Sequence, residues 1–152
     1  MTVAAVGFDH RGVTLREPVL RAVAAAGYRA LDLGTDAPAP RIDYPDKALE
    51  LGMAIRRGEA TRGILVCGSG VGASVAACKI PGIRAAVCHD SYSAHQGVEH
   101  DDLNVLCLGS EVVGGSVAAE LVRAFLGARF VGEGRYLARL EKVEAMEKMT
   151  DG

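Results

Sequence analysis

The residues in this chain best suited to chemistry are a cysteine and the glycines that follow it. Cys67 is succeeded by Gly68, Gly70 and Gly72 within the stretch Gly63 to Lys79, GILVCGSGVGASVAACK. The apolar, β-branched run before the cysteine reads as a buried strand, and the small residues after the glycines read as a helix. Such an order puts a thiol at the carboxyl end of a strand, facing backbone amides at a helix N-terminus. That place suits an anion and favours a thiolate over a thiol. A thiolate is a competent base, and oriented amides can hold an oxyanion. The plainer reading of a strand-end cysteine is inert packing, and Cys78, Cys88 and Cys107 read that way.

The same glycines carry a rival meaning. Gly68-x-Gly70-x-x-Ala73 matches the looser dinucleotide fingerprint, with Asp90 near the acidic position that it expects. Against this, the fingerprint usually opens a chain's first βαβ unit, and here it lies in the third. His89, His95 and His100 with Asp90, Asp101 and Asp102 have the composition of a metal cluster. Their spacing fits none of the usual ligand pairs, so a solvated loop is expected and no metal. A general acid is a better use of one of these histidines, since the ring titrates near neutral pH. Arg135 and Arg139, four apart, share a helix face and can grip one phosphate; the plainer outcome is a surface charge pair.

The elements that must position these residues alternate regularly. Val3 to Phe8 is a strand ending in Asp9-His10. A helix from about Thr14 to Ala26 follows, with Thr14 and Glu17 at capping-box spacing. Arg29 to Leu33 is the second strand, and Gly34 to Asp43 a proline-containing loop. Pro45 suits the first position of a helix to about Arg57. After the cysteine strand and its helix come strand Ile83 to Cys88, a polar helix over roughly Ser91 to Val98, and strand Asn104 to Leu108. Helices from about Gly115 to Leu126 and Arg135 to Met149 close the chain. Five strands alternating with helices predict a parallel α/β sheet, Rossmann-like and three-layered, with an extra C-terminal helix. Ligands of such sheets bind outside the strands' carboxyl ends, where Asp9-His10, Cys67, His89-Asp90 and Gly109 fall. The final helix carries Leu137, Leu140, Val143, Met146 and Met149 along one side. That stripe needs a surface, on its own domain or on a partner subunit.

Composition narrows the class. A chain of 152 residues is expected to form one domain, 1–152, large enough to bury a core. A net charge of −2 gives no basic field for nucleic acid or an anionic membrane. The start, MTVAAVGFDH, has neither a basic region nor an apolar run long enough for a signal peptide or a span. Four cysteines without a CxxC pair suggest neither a disulfide framework nor a zinc knuckle. A reduced, cytoplasmic protein is expected.

Taken together, the residues resemble the ribose-5-phosphate isomerase B family, which includes the galactose-6-phosphate isomerase subunits. The resemblance runs from GFDHRG through DYP and ILVCGSGVGASVAACKIPGIRAAVCHD to SYSA, EH-x-D-x-NVLCLGS and the arginine pair. It implies an aldose–ketose isomerase of carbohydrate metabolism, working through an enediolate without metal or cofactor. Ribose 5-phosphate and ribulose 5-phosphate, of the pentose phosphate pathway, are the implied substrates. By the same resemblance Cys67 is the base moving a proton between C2 and C1. Gly68, Ser69, Gly70, Val71 and Gly72 hold the enediolate oxygen. His100 donates a proton to open the sugar ring, Asp9 positions hydroxyls and Tyr44 lines the pocket. His10, Arg135 and Arg139 bind the phosphate. The implied assembly is a homodimer, or a tetramer, with both subunits contributing to each site.

Two positions depart from the family's pattern. Asp101 stands beside the ring-opening histidine where many relatives have asparagine, so a donor is lost when it is ionised. Glu111 stands where many relatives have a phosphate-contacting arginine. Aimed at phosphate, a carboxylate at about 4 Å and an effective dielectric near 20 would cost roughly 4 kcal/mol, about a thousandfold in affinity. Three outcomes are open: Glu111 points away, pairs with Arg135 or Arg139, or marks another substrate. Allose 6-phosphate, galactose 6-phosphate and a tetrulose phosphate are the alternatives within the class. Outside it stand a non-catalytic nucleotide- or phosphate-binding module and an obligate subunit of a hetero-oligomeric isomerase.

Overall fold

The computed structural model describes residues 1–149. The expected domain range of 1–152 thus includes three residues, 150–152, outside those described. Strands β1 (Val3–Phe8), β2 (Arg29–Asp32), β3 (Arg62–Cys67), β4 (Ala85–Val87) and β5 (Val105–Gly109) alternate with helices. The helices are α1 (Arg16–Ala25), α2 (Tyr44–Arg56), α3 (Val71–Ala77), α4 (Ser91–Asp101), α5 (Gly115–Gly127) and α6 (Gly134–Glu147). All the strands pair in parallel, in the order β2-β1-β3-β5-β4. The α/β sheet expected from the strand–helix alternation is therefore the one observed.

Strand periodicity divides the core in two. Ala4, Val6 and Phe8 of β1 join Ile64, Val66, Leu106 and Leu108 on one face, under Val19, Val23, Leu121 and Phe125 of α1 and α5. Ala94 and Val98 bring α4 to this same face. Ala5, Leu65, Cys67, Val105 and Cys107 point the other way, against Leu51 of α2 and Ala73 and Ala77 of α3. Right-handed crossovers dictate this division. Chain moving toward β2 or back from β4 must cross on one face, and chain moving toward β4 on the other. The chain reverses its direction of travel between β1 and β3. Cys67 and Asp9-His10 therefore flank the crevice where ligands of open α/β sheets bind.

Local details differ from the sequence expectations. The Thr14–Glu17 capping box does not form. A 3-10 turn over Gly12–Leu15 precedes α1, and Leu15 occupies the N-cap without a side-chain bond. The cause is Asp9, whose carboxylate oxygen takes the amides of Arg11 and Gly12 and starts the turn early. Strand β4 is shorter than read, because the Arg84 amide is taken by the Asn104 side chain at 2.7 Å. Helix α4 runs three residues past Val98 and stops at Asp102, whose left-handed φ of 51° ends it. Helix α6 docks on α4 and buries Leu140, while Leu137, Val143, Met146 and Met149 stay exposed.

Candidate active site

The loop after β1 is fixed before any ligand arrives. Asp9 is buried, and its Oδ1 accepts the Arg11 amide at 2.9 Å and the Gly12 amide at 2.7 Å. Gly12 is obligatory at this point, since a Cβ there would stand 2.0 Å from the Val66 carbonyl oxygen. Beside it, Nδ1 of His10 accepts the Ile42 amide at 3.1 Å. In the neutral ring this leaves the proton on Nε2, as a donor for an anion.

The turn after β3 closes over the thiol. Gly70 takes a left-handed φ of 83°, which only glycine adopts freely, and its N–H donates to Cys67 Sγ at 3.2 Å. Ser69 is exposed, and its Oγ accepts the Val71 amide at 3.2 Å. The amides of Gly72 and Ala73 lie in the first turn of α3, where an amide has no intrahelical acceptor. The Tyr44 ring lies on that turn, so close that a Gly72 Cβ would be 2.6 Å from its Cζ. The other core cysteines are held as thiols: burial pushes the Cys88 thiol up and the Cys107 thiol well up.

Asp9, His10, Tyr44, Cys67, Gly68, Ser69, Gly70, Val71 and Gly72 thus gather at the carboxyl edge of β1 and β3. The remaining candidates do not join them within one chain. Helix α4 runs antiparallel to the strands, so His100 near its end lies toward their amino edge, about 14 Å along the helix from Ser91. It also packs on the face opposite Cys67. There its Nδ1 meets Gln96 Nε2 at 2.7 Å, and its ring stacks on Tyr136 with centroids 4.4 Å apart. Arg135 bonds the Tyr136 hydroxyl at 2.8 Å. Asp101 and Arg139 line a groove of about 750 Å³ between β4, α3, α4 and α6, with Ile83, Val87, Leu140 and Val143 as its apolar floor. This groove is lined by two of the outlying candidates, Asp101 and Arg139, and not by Cys67.

The apparent histidine and carboxylate cluster separates into local pairs. Asp90 caps α4 by accepting the Ser93 amide at 2.7 Å, and that bond holds its carboxyl below the usual range. The cap thus uses one oxygen of Asp90, the acidic partner of the dinucleotide reading. His95 pairs with Glu99, and Asp102 with Arg84. His89 Nε2 accepts the Gly109 amide at 2.9 Å, and burial lowers its pKa, so its ring is a neutral acceptor.

Of the three options read for Glu111 in the sequence, the pairing with Arg135 or Arg139 is not made within the chain. Glu111 pairs with Arg11, at 3.6 Å. Arg11 was not among the sequence candidates. One signal was available: it directly follows Asp9-His10 in a strand-end motif. Its side-chain direction, over Gly68, was not.

Thiol and glycine turn at the switch point of a parallel sheet define a class: α/β proteins with a strand-end cysteine beside backbone amides. Comparison with known proteins gives the family. The ribose/galactose isomerase family model matches residues 4–143. Ribose-5-phosphate isomerase B of Escherichia coli is 43% identical over 148 residues, covering 97% of this chain and 98% of that protein. D-erythrulose-4-phosphate isomerase of Pectobacterium atrosepticum is 36% identical, covering 94% of this chain and 93% of that one. Among solved structures, the type B ribose 5-phosphate isomerase of Trypanosoma brucei superposes with a TM-score of 0.91 at 45% identity, over 96% of this chain and 99% of that one. The chain belongs to the ribose/galactose isomerase family.

Proposed function

We propose that this chain interconverts ribose 5-phosphate and ribulose 5-phosphate. The observation that carries the reading is Cys67, with its sulfur bonded by the Gly70 amide and the open amides of α3's first turn beside it. The relatives similar over nearly the whole chain that are named ribose-5-phosphate isomerase B supply the sugar. In this mechanism the Cys67 thiolate removes the proton from C2 of the open-chain aldose and returns it to C1. Negative charge moves to oxygen in the enediolate, where the turn from Gly68 through Ser69, Gly70 and Val71 to Gly72 stabilises it. Asp9 and Tyr44 shape the pocket, and the Nε2–H of His10 faces the phosphate.

His100, Asp101, Arg135 and Arg139 then come from a second copy of the chain. Their separation from Cys67 within one chain supports a homodimer with shared sites, with His100 protonating the ring oxygen as the sugar opens. Uncovered apolar side chains support it as well. Val71 and Val75 of α3 are 57% and 58% exposed, and Met146 of α6 is 65% exposed. The reaction belongs to carbohydrate metabolism, in the pentose phosphate pathway and the cytoplasm, and no described helix is long and apolar enough to cross a membrane.

The test is subunit complementation. Cys67→Ala and His100→Asn are each inactive as homodimers. Dissociated and reassociated together, they form mixed dimers with one intact site, recovering about a quarter of wild-type activity by random pairing. No recovery would place both residues in the same chain's site. A panel of aldose and ketose phosphates, including D-erythrulose 4-phosphate, identifies the preferred sugar.

A further inference from the structure

We propose that Arg11, held over the glycine turn by Glu111, is a ligand for the substrate's phosphate. This rests on the sugar-phosphate reading above and adds a residue to it. The backbone of Arg11 is fixed from three sides. Its amide donates to Asp9, its carbonyl accepts the Ser110 hydroxyl at 2.8 Å, and the next residue is the sterically locked Gly12. The guanidinium lies on Gly68, its Cζ only 2.3 Å from where a Cβ would stand. Gly68 is therefore a seat for this arginine, one residue from the thiol. The backbone of Glu111 is tied to the same glycine, its amide donating to the Gly68 carbonyl at 2.9 Å.

The Arg11–Glu111 distance of 3.6 Å makes this an ion pair and not a hydrogen bond. The guanidinium is oriented, yet it donates no hydrogen bond among the described residues, and its side chain is 53% exposed. Five N–H groups in a planar fork match the oxygens of a phosphate. Next to it in sequence is His10, whose Nδ1 accepts the Ile42 amide and whose Nε2 makes no hydrogen bond among the described residues. Together they place two anion donors on one loop at the edge of the Cys67 crevice. Glu111 turns its charge toward Arg11, so what faces a bound dianion is the arginine.

The experiment compares wild type, Arg11→Met, Arg11→Lys and Glu111→Gln in isomerase kinetics, and in thermal shift with inorganic phosphate. Arg11→Met is expected to raise KM about tenfold, equal to one lost charged contact, with the loss falling on KM and not on kcat. It also loses the stabilisation that inorganic phosphate gives wild type. Arg11→Lys recovers part of both, because charge remains without the fork. Glu111→Gln raises KM less than Arg11→Met does, because the guanidinium loses what holds it and keeps its charge; a KM at the wild-type value overturns the holding role of Glu111. An unchanged KM in Arg11→Met overturns the proposal, as does an unchanged phosphate shift or its absence in wild type. A loss confined to kcat also overturns it, since it would put Arg11 on the enediolate. Should wild type isomerise no sugar phosphate, the functional reading fails, and the phosphate shift still decides for or against Arg11.

Discussion

The ring of His89 accepts the Gly109 amide at 2.9 Å, behind the glycine turn that follows Cys67. Gly109 is the register partner of Cys67 across β3 and β5. It presses on Ser69 so closely that a Cβ there would stand 2.6 Å from the Ser69 carbonyl. A half-buried imidazole thus anchors the strand end on which the turn rests.

This anchor gives the fold an acid sensitivity with a definite sign. Burial holds the His89 pKa below its ordinary value near 6.5. Below that value the unfolded chain binds a proton that the folded chain resists. The contribution to stability is therefore full above pH about 6.5, and it declines as the pH falls from there toward the folded value. His89→Gln keeps an acceptor for the Gly109 amide and does not titrate. Urea midpoints of wild type are expected to fall between pH about 7.5 and about 5.5 by more than those of His89→Gln. Equal falls in both proteins would remove His89 from the acid response.

Gly70 separates the stability of the turn from its chemistry. Alanine in a left-handed conformation costs about 1–2 kcal/mol, and its Cβ would press on the Leu108 backbone at 3.1 Å. For a domain of this size that corresponds to a fall in Tm of roughly 2–8 °C. Gly70→Ala also moves the amide that donates to Cys67 Sγ, so kcat is expected to fall at least about tenfold in protein that remains folded. Activity that tracks only the folded fraction, measured by circular dichroism beside the isomerase assay, would deny the amide any effect on the thiol.

What the sequence made legible follows from the range of the interactions involved. Strand alternation and glycine spacing are local, so the sheet and the Cys67 turn could be read from contiguous residues. Asp9 could be seen but not its bonds: a carboxylate at a strand end suggests a sugar ligand, and here one oxygen is spent on two amides of its own loop. That same use displaced the expected Thr14 cap. The Arg11–Glu111 pair joins residues a hundred positions apart through two loop directions that no periodicity encodes. The position of His100 depended on where α4 ends. Reading that helix as stopping at Val98 left His100 in a loop, free to be imagined beside Cys67. Helix to Asp101 carries it to the other edge of the sheet.

The last prediction concerns Tyr136, whose ring stacks on His100 at 4.4 Å and 23° while its hydroxyl accepts from Arg135. One side chain therefore orients both the proposed ring-opening acid and a proposed phosphate ligand. A stacked aromatic pair contributes about 0.5–1.5 kcal/mol, so Tyr136→Ala is expected to lower kcat on cyclic substrate by up to about tenfold. On open-chain substrate, which needs no ring opening, kcat falls less. Tyr136→Phe keeps the stack and restores the rate on cyclic sugar, but Arg135 loses its acceptor and KM rises modestly. Steady-state kinetics on freshly generated open-chain and equilibrated cyclic sugar phosphate separate the two effects. If Tyr136→Phe is as slow on the cyclic form as Tyr136→Ala, the stack does not orient His100. The hydroxyl bond to Arg135 would then be the contact that matters.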